Sequence, residues 1–150
     1  MSAGTAITVA ILFVAGLAGA VQVAVMGELG DRVGIAPALA FAAVISLFCA
    51  LVALVAAERS FTGFRAAFEQ PAWLWLGGVM SIVIVFAITL GAPRVGTAAT
   101  IGLVIAGNLL MAAVIDRFGL LGQDEIPLGW PRLLGIALLA IGAGLSLSQT

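Results

Sequence analysis

Six polar side chains stand inside or at the end of long apolar runs, and they carry whatever chemistry this chain performs: Gln22, Ser81, Thr97, Thr100, Asn108 and Asp116. Amides and hydroxyls in an apolar setting donate and accept hydrogen bonds without adding charge. They suit a neutral or zwitterionic small molecule, or they bond a neighbouring helix. Asp116 is a carboxylate that could hold a proton or a cation. It also ends an apolar run beside Arg117 and Gly119, as a solvated helix end would. A carboxylate there opposes the helix dipole, so local stability does not account for it.

Composition removes most other chemistry. The chain has 150 residues, no His, no Tyr and a single cysteine, Cys49. A Ser–His nucleophile has no base, a His-ligated metal has no ligands, and no internal disulfide can form. No glycine-rich phosphate loop sits between a strand and a helix. The reading is of a protein that is not an enzyme and uses no cofactor and no metal. Net charge is -1 and there is no Lys or Arg cluster, so nucleic acid is not an expected partner.

The polar groups need elements to position them, and the apolar runs supply these. The chain is 63% hydrophobic and 9% charged, with a mean hydropathy of +1.29. A soluble domain must wet its own surface and does not carry so much apolar residue. The fold class is therefore an all-α integral membrane protein, a single transmembrane domain over residues 1–150. Five runs can span: about 6–26, 37–57, 73–90, 97–115 and 133–148.

The fourth run is the most polar. At 100° per residue, Thr97, Ile101, Val104, Asn108, Met111 and Ile115 share one face, while Ala98, Gly102 and Ala106 form a small-residue strip opposite. In the first run Ala15, Ala18, Gly19 and Gln22 share a face. Ala18-Gly19-Ala20 has the look of a cleavage site, but no basic segment precedes it and the apolar run continues beyond it. Gly19, Gly77, Gly78, Gly102, Gly135 and Gly142 are the candidates for close helix packing, within one chain or between two. Residues 27–36 read as a loop from their glycines and charges, with Pro37 opening the next helix. Residues 91–96 read as a tight turn. Phe61, Phe64 and Phe68 recur at helical spacing before Trp73 and Trp75, predicting a short amphipathic helix at the membrane surface.

Five spans put the termini on opposite sides. Arg59, Arg65, Arg117 and Arg132 fall on the N-terminal side, Arg32 and Arg94 on the other. This favours a cytoplasmic N-terminus by a small margin, such as a chain inserting both ways would show.

Several of these pieces, in this order, resemble the YdcZ-type small transporters of the drug/metabolite transporter superfamily. They are Gly16 with Gln22, Leu29-Gly30 with Gly34 and Pro37, Trp75-Leu76-Gly77-Gly78, the segment Ala92 to Thr100, Ala106-Gly107-Asn108-Leu109, Asp116 with Gly119, and Arg132 with Gly135 and Gly142. The family pattern has Gln where Asn108 stands and glycine where Ser81 stands. The last run also resembles the dimer-forming helix of small multidrug-resistance proteins. Those carry a carboxylate in the first span where this chain has Gln22, so their cation/proton antiport is not implied.

The resemblance implies a multi-pass protein of the plasma (cytoplasmic) membrane that is half of an inverted ten-helix assembly. A second copy, or a sister chain, would pair with it as an antiparallel dimer in membrane lipid. Substrate would bind between the halves and cross by alternating access. On this reading Gln22, Ser81, Thr97, Thr100 and Asn108 bind a neutral or zwitterionic metabolite. A passive channel of the same plan, or a non-transporting membrane partner or regulator, remain the alternatives.

Overall fold

The computed structural model describes residues 3–126 and 129–147. Among them the only regular structure is helical. Helix α1 runs Ala3–Val33, α2 Ile35–Glu58, α3 Thr62–Phe68, α4 Leu76–Val95, α5 Thr97–Phe118 and α6 Trp130–Leu147, with single 3-10 turns at Ala72–Trp75 and Leu120–Gly122. Four of these segments are long and apolar enough to cross a membrane: α1, α2, the 3-10 turn with α4, and α5. The apolar part of α6, Leu133–Ser146, is shorter. Residue 148 of the expected fifth run lies outside the described residues.

Two of the expected boundaries are corrected. The first helix does not end near residue 26, and residues 27–36 are not a loop. Helix α1 continues to Val33, and only Gly34 separates it from α2. Likewise α4 passes through Pro93 to Val95, and only Gly96 separates it from α5. Glycines and charges in a sequence signal a break, but here each has another use. Gly27 and Gly30 lie under α4, and Glu28 accepts a 2.7 Å ion-paired hydrogen bond from Arg32 one turn on. That (i, i+4) pair favours the helix. Pro37 falls in the first turn of α2, where an amide proton would have no helical acceptor.

The two breaks are alike. Gly34 has φ 89° and ψ 157°, and Gly96 has φ 80° and ψ 157°. Each glycine N–H closes the preceding helix, Gly34 onto the Gly30 carbonyl at 2.9 Å and Gly96 onto the Ala92 carbonyl at 3.1 Å. Each glycine carbonyl then accepts the first bond of the next helix, from Ala38 and Thr100. One residue reverses the chain with no backbone group wasted. Both sit in the tripeptide Arg-Val-Gly, at 32–34 and 94–96. The conformation is essentially restricted to glycine. Gly34→Ala and Gly96→Ala should each lower stability by about 1–3 kcal/mol, read as an earlier midpoint in denaturant titration of the purified chain.

The hairpins α1–α2 and α4–α5 pack with their breaks at the same end. Helices α1 and α4 are the central pair, α2 lies against both, α5 against α4 and α1, and α6 along α5. Little is buried: Val23, Met26, Ala38 and Ile88 form the core cluster between α1, α2 and α4. The accessible surface is 10670 Å2, against about 7,000 Å2 for a soluble monomer of this mass. Much of the excess is apolar, with Phe13, Phe48, Leu138 and Leu145 each at least 65% exposed. Lipid or another chain has to cover it. Helix α1 alone is about 46 Å long at 1.5 Å per residue, longer than the roughly 30 Å hydrocarbon layer. Its last turns, with Glu28, Asp31 and Arg32, therefore reach headgroup level.

At the opposite end, Phe64 stacks edge-on against Phe68 at 5.3 Å, and Phe68 against Trp75 at 6.2 Å. The predicted short helix is present as α3. Helix α5 stops where expected, at Gly119 in the left-handed region (φ 56°), whose N–H bonds the Ile115 carbonyl.

Candidate functional site: a cleft between α1, α4 and α5

Helices α1 and α4 touch tightly near their breaks and part further away. A Cβ on Gly30 would lie 2.5 Å from Thr89 Cγ2, and one on Gly27 would lie 2.8 Å from Ala92 Cβ. No atom of another element lies within 4 Å of such a Cβ at Gly16, Gly19, Gly77 or Gly78. Beyond the contact the helices leave a cleft of about 190 Å3. Gly16, Gly19, Gln22 and Val23 of α1 form one wall, Ile84 and Ile88 of α4 the second, and Ile101, Val104 and Ile105 of α5 the third. Gln22 is the one strongly polar side chain in that lining.

Asn108 lies on α5 one turn beyond Val104, on the same side of the helix. Gln22 precedes Gly34 by twelve residues, and Asn108 follows Gly96 by twelve. In each case that is about 18 Å of helix, and the two breaks pack together. The two amides therefore stand at similar depth. Both are exposed, and neither makes a hydrogen bond among the described residues. An amide left bare in hydrocarbon costs about 2–7 kcal/mol. Each needs a partner from outside the chain: water, a second chain or a bound solute.

The hydroxyls behave differently. Ser81 donates to the Gly77 carbonyl at 2.9 Å and Thr100 to the Gly96 carbonyl at 2.8 Å, each within its own helix. Thr100 is buried at 4% exposure against Gly91, away from the cleft. Thr97 is half-buried and lines a different pocket at the break end, with Glu28 and Asp31. In the single chain, then, only Gln22 of the five expected site residues lines the cleft, with Asn108 adjoining. Asp116 is half-buried at the end of α5, where its backbone carbonyl accepts the Ile126 N–H at 2.7 Å.

Of the glycines expected to pack, Gly19 lines the open cleft. Gly77, Gly78, Gly135 and Gly142 face no other element within 4 Å. Gly102 is half-buried on α5. The close contacts fall instead on Gly27, Gly30 and Gly91, the last against Thr100. A further structural residue, Thr89, is 1% exposed and donates to the Val85 carbonyl at 2.7 Å. Periodicity puts it on the helical face of Gly77, Gly78, Ser81 and Val85, but that pattern does not show its contact with Gly30. The doubled Leu-Gly…Arg-Val-Gly at 29–34 and 90–96 was the available signal, since it marks both sides of the α1–α4 contact.

Four apolar helices of spanning length among the described residues define a multi-pass α-helical membrane protein. The chain belongs to the family described as "Putative inner membrane exporter, YdcZ", whose model matches residues 7–145. It is thereby placed among membrane transporters. No curated protein and no solved structure matches the chain.

Proposed function

We propose that the chain is one half of a small-molecule exporter of the plasma membrane, crossing the bilayer five times. It works as an antiparallel pair with a second copy or a sister chain. Gln22 and Asn108 line the central pathway and bind a neutral or zwitterionic metabolite. One observation carries this reading: two amides at similar depth are exposed beside an apolar cleft without a partner among the described residues. A purely structural amide finds its partner within the fold. The cleft is also too small and too open to enclose a metabolite alone, whereas a second unit facing it would close it. Membership of an exporter family supports the direction.

The α1–α4 geometry supports a reading by alternating access. The helices are clamped at the break end and parted at the other, so rocking about the Gly27–Gly30 contact exchanges the open side. Ser81, on the parted half of α4, would join the pathway as an acceptor while it donates to the Gly77 carbonyl, and as a donor only by releasing it.

The test is counterflow. Liposomes containing the pure chain are loaded with one unlabelled neutral or zwitterionic metabolite at a time and diluted into the labelled compound. A carrier transiently accumulates label above equilibrium for its substrate. Simple equilibration would indicate a channel. Absence of flux across the whole panel would contradict the proposal and favour a non-transporting partner.

A further inference from the structure

The break end carries a second pocket that the transport reading does not use. It has a volume of about 550 Å3 and opens at headgroup level between the two glycine reversals. Gly30 and Gly34 leave its α1 side without side chains, and Thr89, Pro93 and Arg94 form its α4 side. Two residues of opposite charge belong to its lining, Asp31 and Arg94, both exposed. They do not pair with each other.

The neighbouring charges do not explain this. Arg32 is taken by Glu28 at 2.7 Å. Arg94 donates one terminal nitrogen to the Leu90 carbonyl at 2.8 Å, which fixes the guanidinium and leaves its other donors available. Asp31 has no hydrogen bond or ion pair among the described residues. In addition, Pro93 has no N–H to give the Thr89 carbonyl, its helical acceptor four residues back. The pocket lining thus includes one acidic and one basic residue that do not pair with each other.

We infer that this pocket binds a small zwitterion, its ammonium group on Asp31 and its acidic oxyanion on Arg94. A guanidinium recognises a planar or tetrahedral oxyanion through paired donors, and a carboxylate accepts from an ammonium. A ligand carrying both charges satisfies both walls, while a singly charged ligand leaves one wall unsatisfied. Two sources supply this chemistry at headgroup level: a free amino acid in solution, and the headgroup of phosphatidylethanolamine. The inference does not depend on transport, because it holds for a chain that only binds.

The experiment uses the full chain, stripped of lipid, in a nonionic detergent. One arm measures labelled L-alanine by equilibrium dialysis. The other adds phosphatidylethanolamine and phosphatidylglycerol in equal amounts and measures which lipid stays with the chain. We expect saturable retention of one zwitterionic probe, reduced at least tenfold in Asp31→Asn and in Arg94→Gln. Arg32→Gln, an equal loss of charge next to the pocket, should retain the probe as wild type. The arm that responds identifies the source. Three results would overturn the inference: retention of neither probe, equal retention by all variants, or competition by methylamine or acetate as effective as by the zwitterion. Counterflow through the Gln22 cleft is measured separately, so loss of one activity does not imply loss of the other.

Discussion

Gly30→Leu should abolish the folded chain. Where α1 crosses α4, even an alanine Cβ at this position would stand 2.5 Å from Thr89 Cγ2, a distance that real Cβ contacts do not reach. The threonine cannot swing aside cheaply. It is 1% exposed, and its hydroxyl is held on the Val85 carbonyl at 2.7 Å. Rotating the methyl away breaks that bond inside the most tightly packed part of the molecule. Overpacking typically costs about 1–3 kcal/mol, so Gly30→Ala should shift the unfolding midpoint while the larger leucine prevents α1 and α4 from docking. The mechanism is checked by a second change. Thr89→Ser removes the offending methyl and keeps the hydroxyl, so Gly30→Ala with Thr89→Ser should recover most of the loss seen with Gly30→Ala alone. Denaturant titration of the four proteins in detergent measures it. Strictly additive losses would show that the contact is not what sets the stability.

Gln22→Ala and Asn108→Ala should each reduce substrate flux at least tenfold while leaving the chain folded. Neither amide has a partner among the described residues, so removing it leaves no orphaned group behind in the same chain. If anything, losing an unsatisfied amide from the apolar cleft makes the isolated chain more stable. Transport suffers because the solute loses its polar contacts at mid-depth. Asn108→Gln, which keeps the amide and lengthens its reach by one methylene, should retain transport with altered apparent affinity. The discriminating comparison is with Thr100→Val. Its hydroxyl serves only the Gly96 carbonyl and the site is buried, so this change should lower stability with little effect on flux per folded molecule. If Gln22→Ala and Asn108→Ala instead lose folded protein, the amides are interhelical bonds between chains and not solute ligands.

The contrast between these residues explains how far the sequence could be read. Spanning helices α2, α4 and α5 are legible because bilayer thickness demands long apolar runs whatever their neighbours. The end of α5 is legible because Gly119 must take a left-handed conformation there. The continuation of α1 past Gly27 is not. Whether a glycine breaks a helix or lets another approach depends on what packs against it, and the residues met here, Thr89 and Ala92, come from a distant part of the chain. The site was half legible for a related reason. Hydroxyls and amides look alike as polar residues in an apolar run. A serine or threonine can satisfy itself on the carbonyl one turn back, as Ser81, Thr89 and Thr100 do. Gln22 and Asn108 have not done so. The pocket at Asp31 and Arg94 lay in stretches read as loops, where charges are expected and attract no attention.

On the proposed function, two oppositely oriented units close one pathway. The side of the membrane on which residue 150 lies tests it most directly. Cys49, the single cysteine, is exposed and is first replaced by serine. A cysteine is then introduced by Thr150→Cys, and intact cells are treated with a thiol reagent that cannot cross the membrane. For a chain that pairs with its own copy, about half the molecules should label, with the rest labelling only after the membrane is opened. The arginine balance, four on one side and two on the other, is small enough to permit both orientations. Labelling of all molecules or of none would fix a single topology and contradict the antiparallel homodimer.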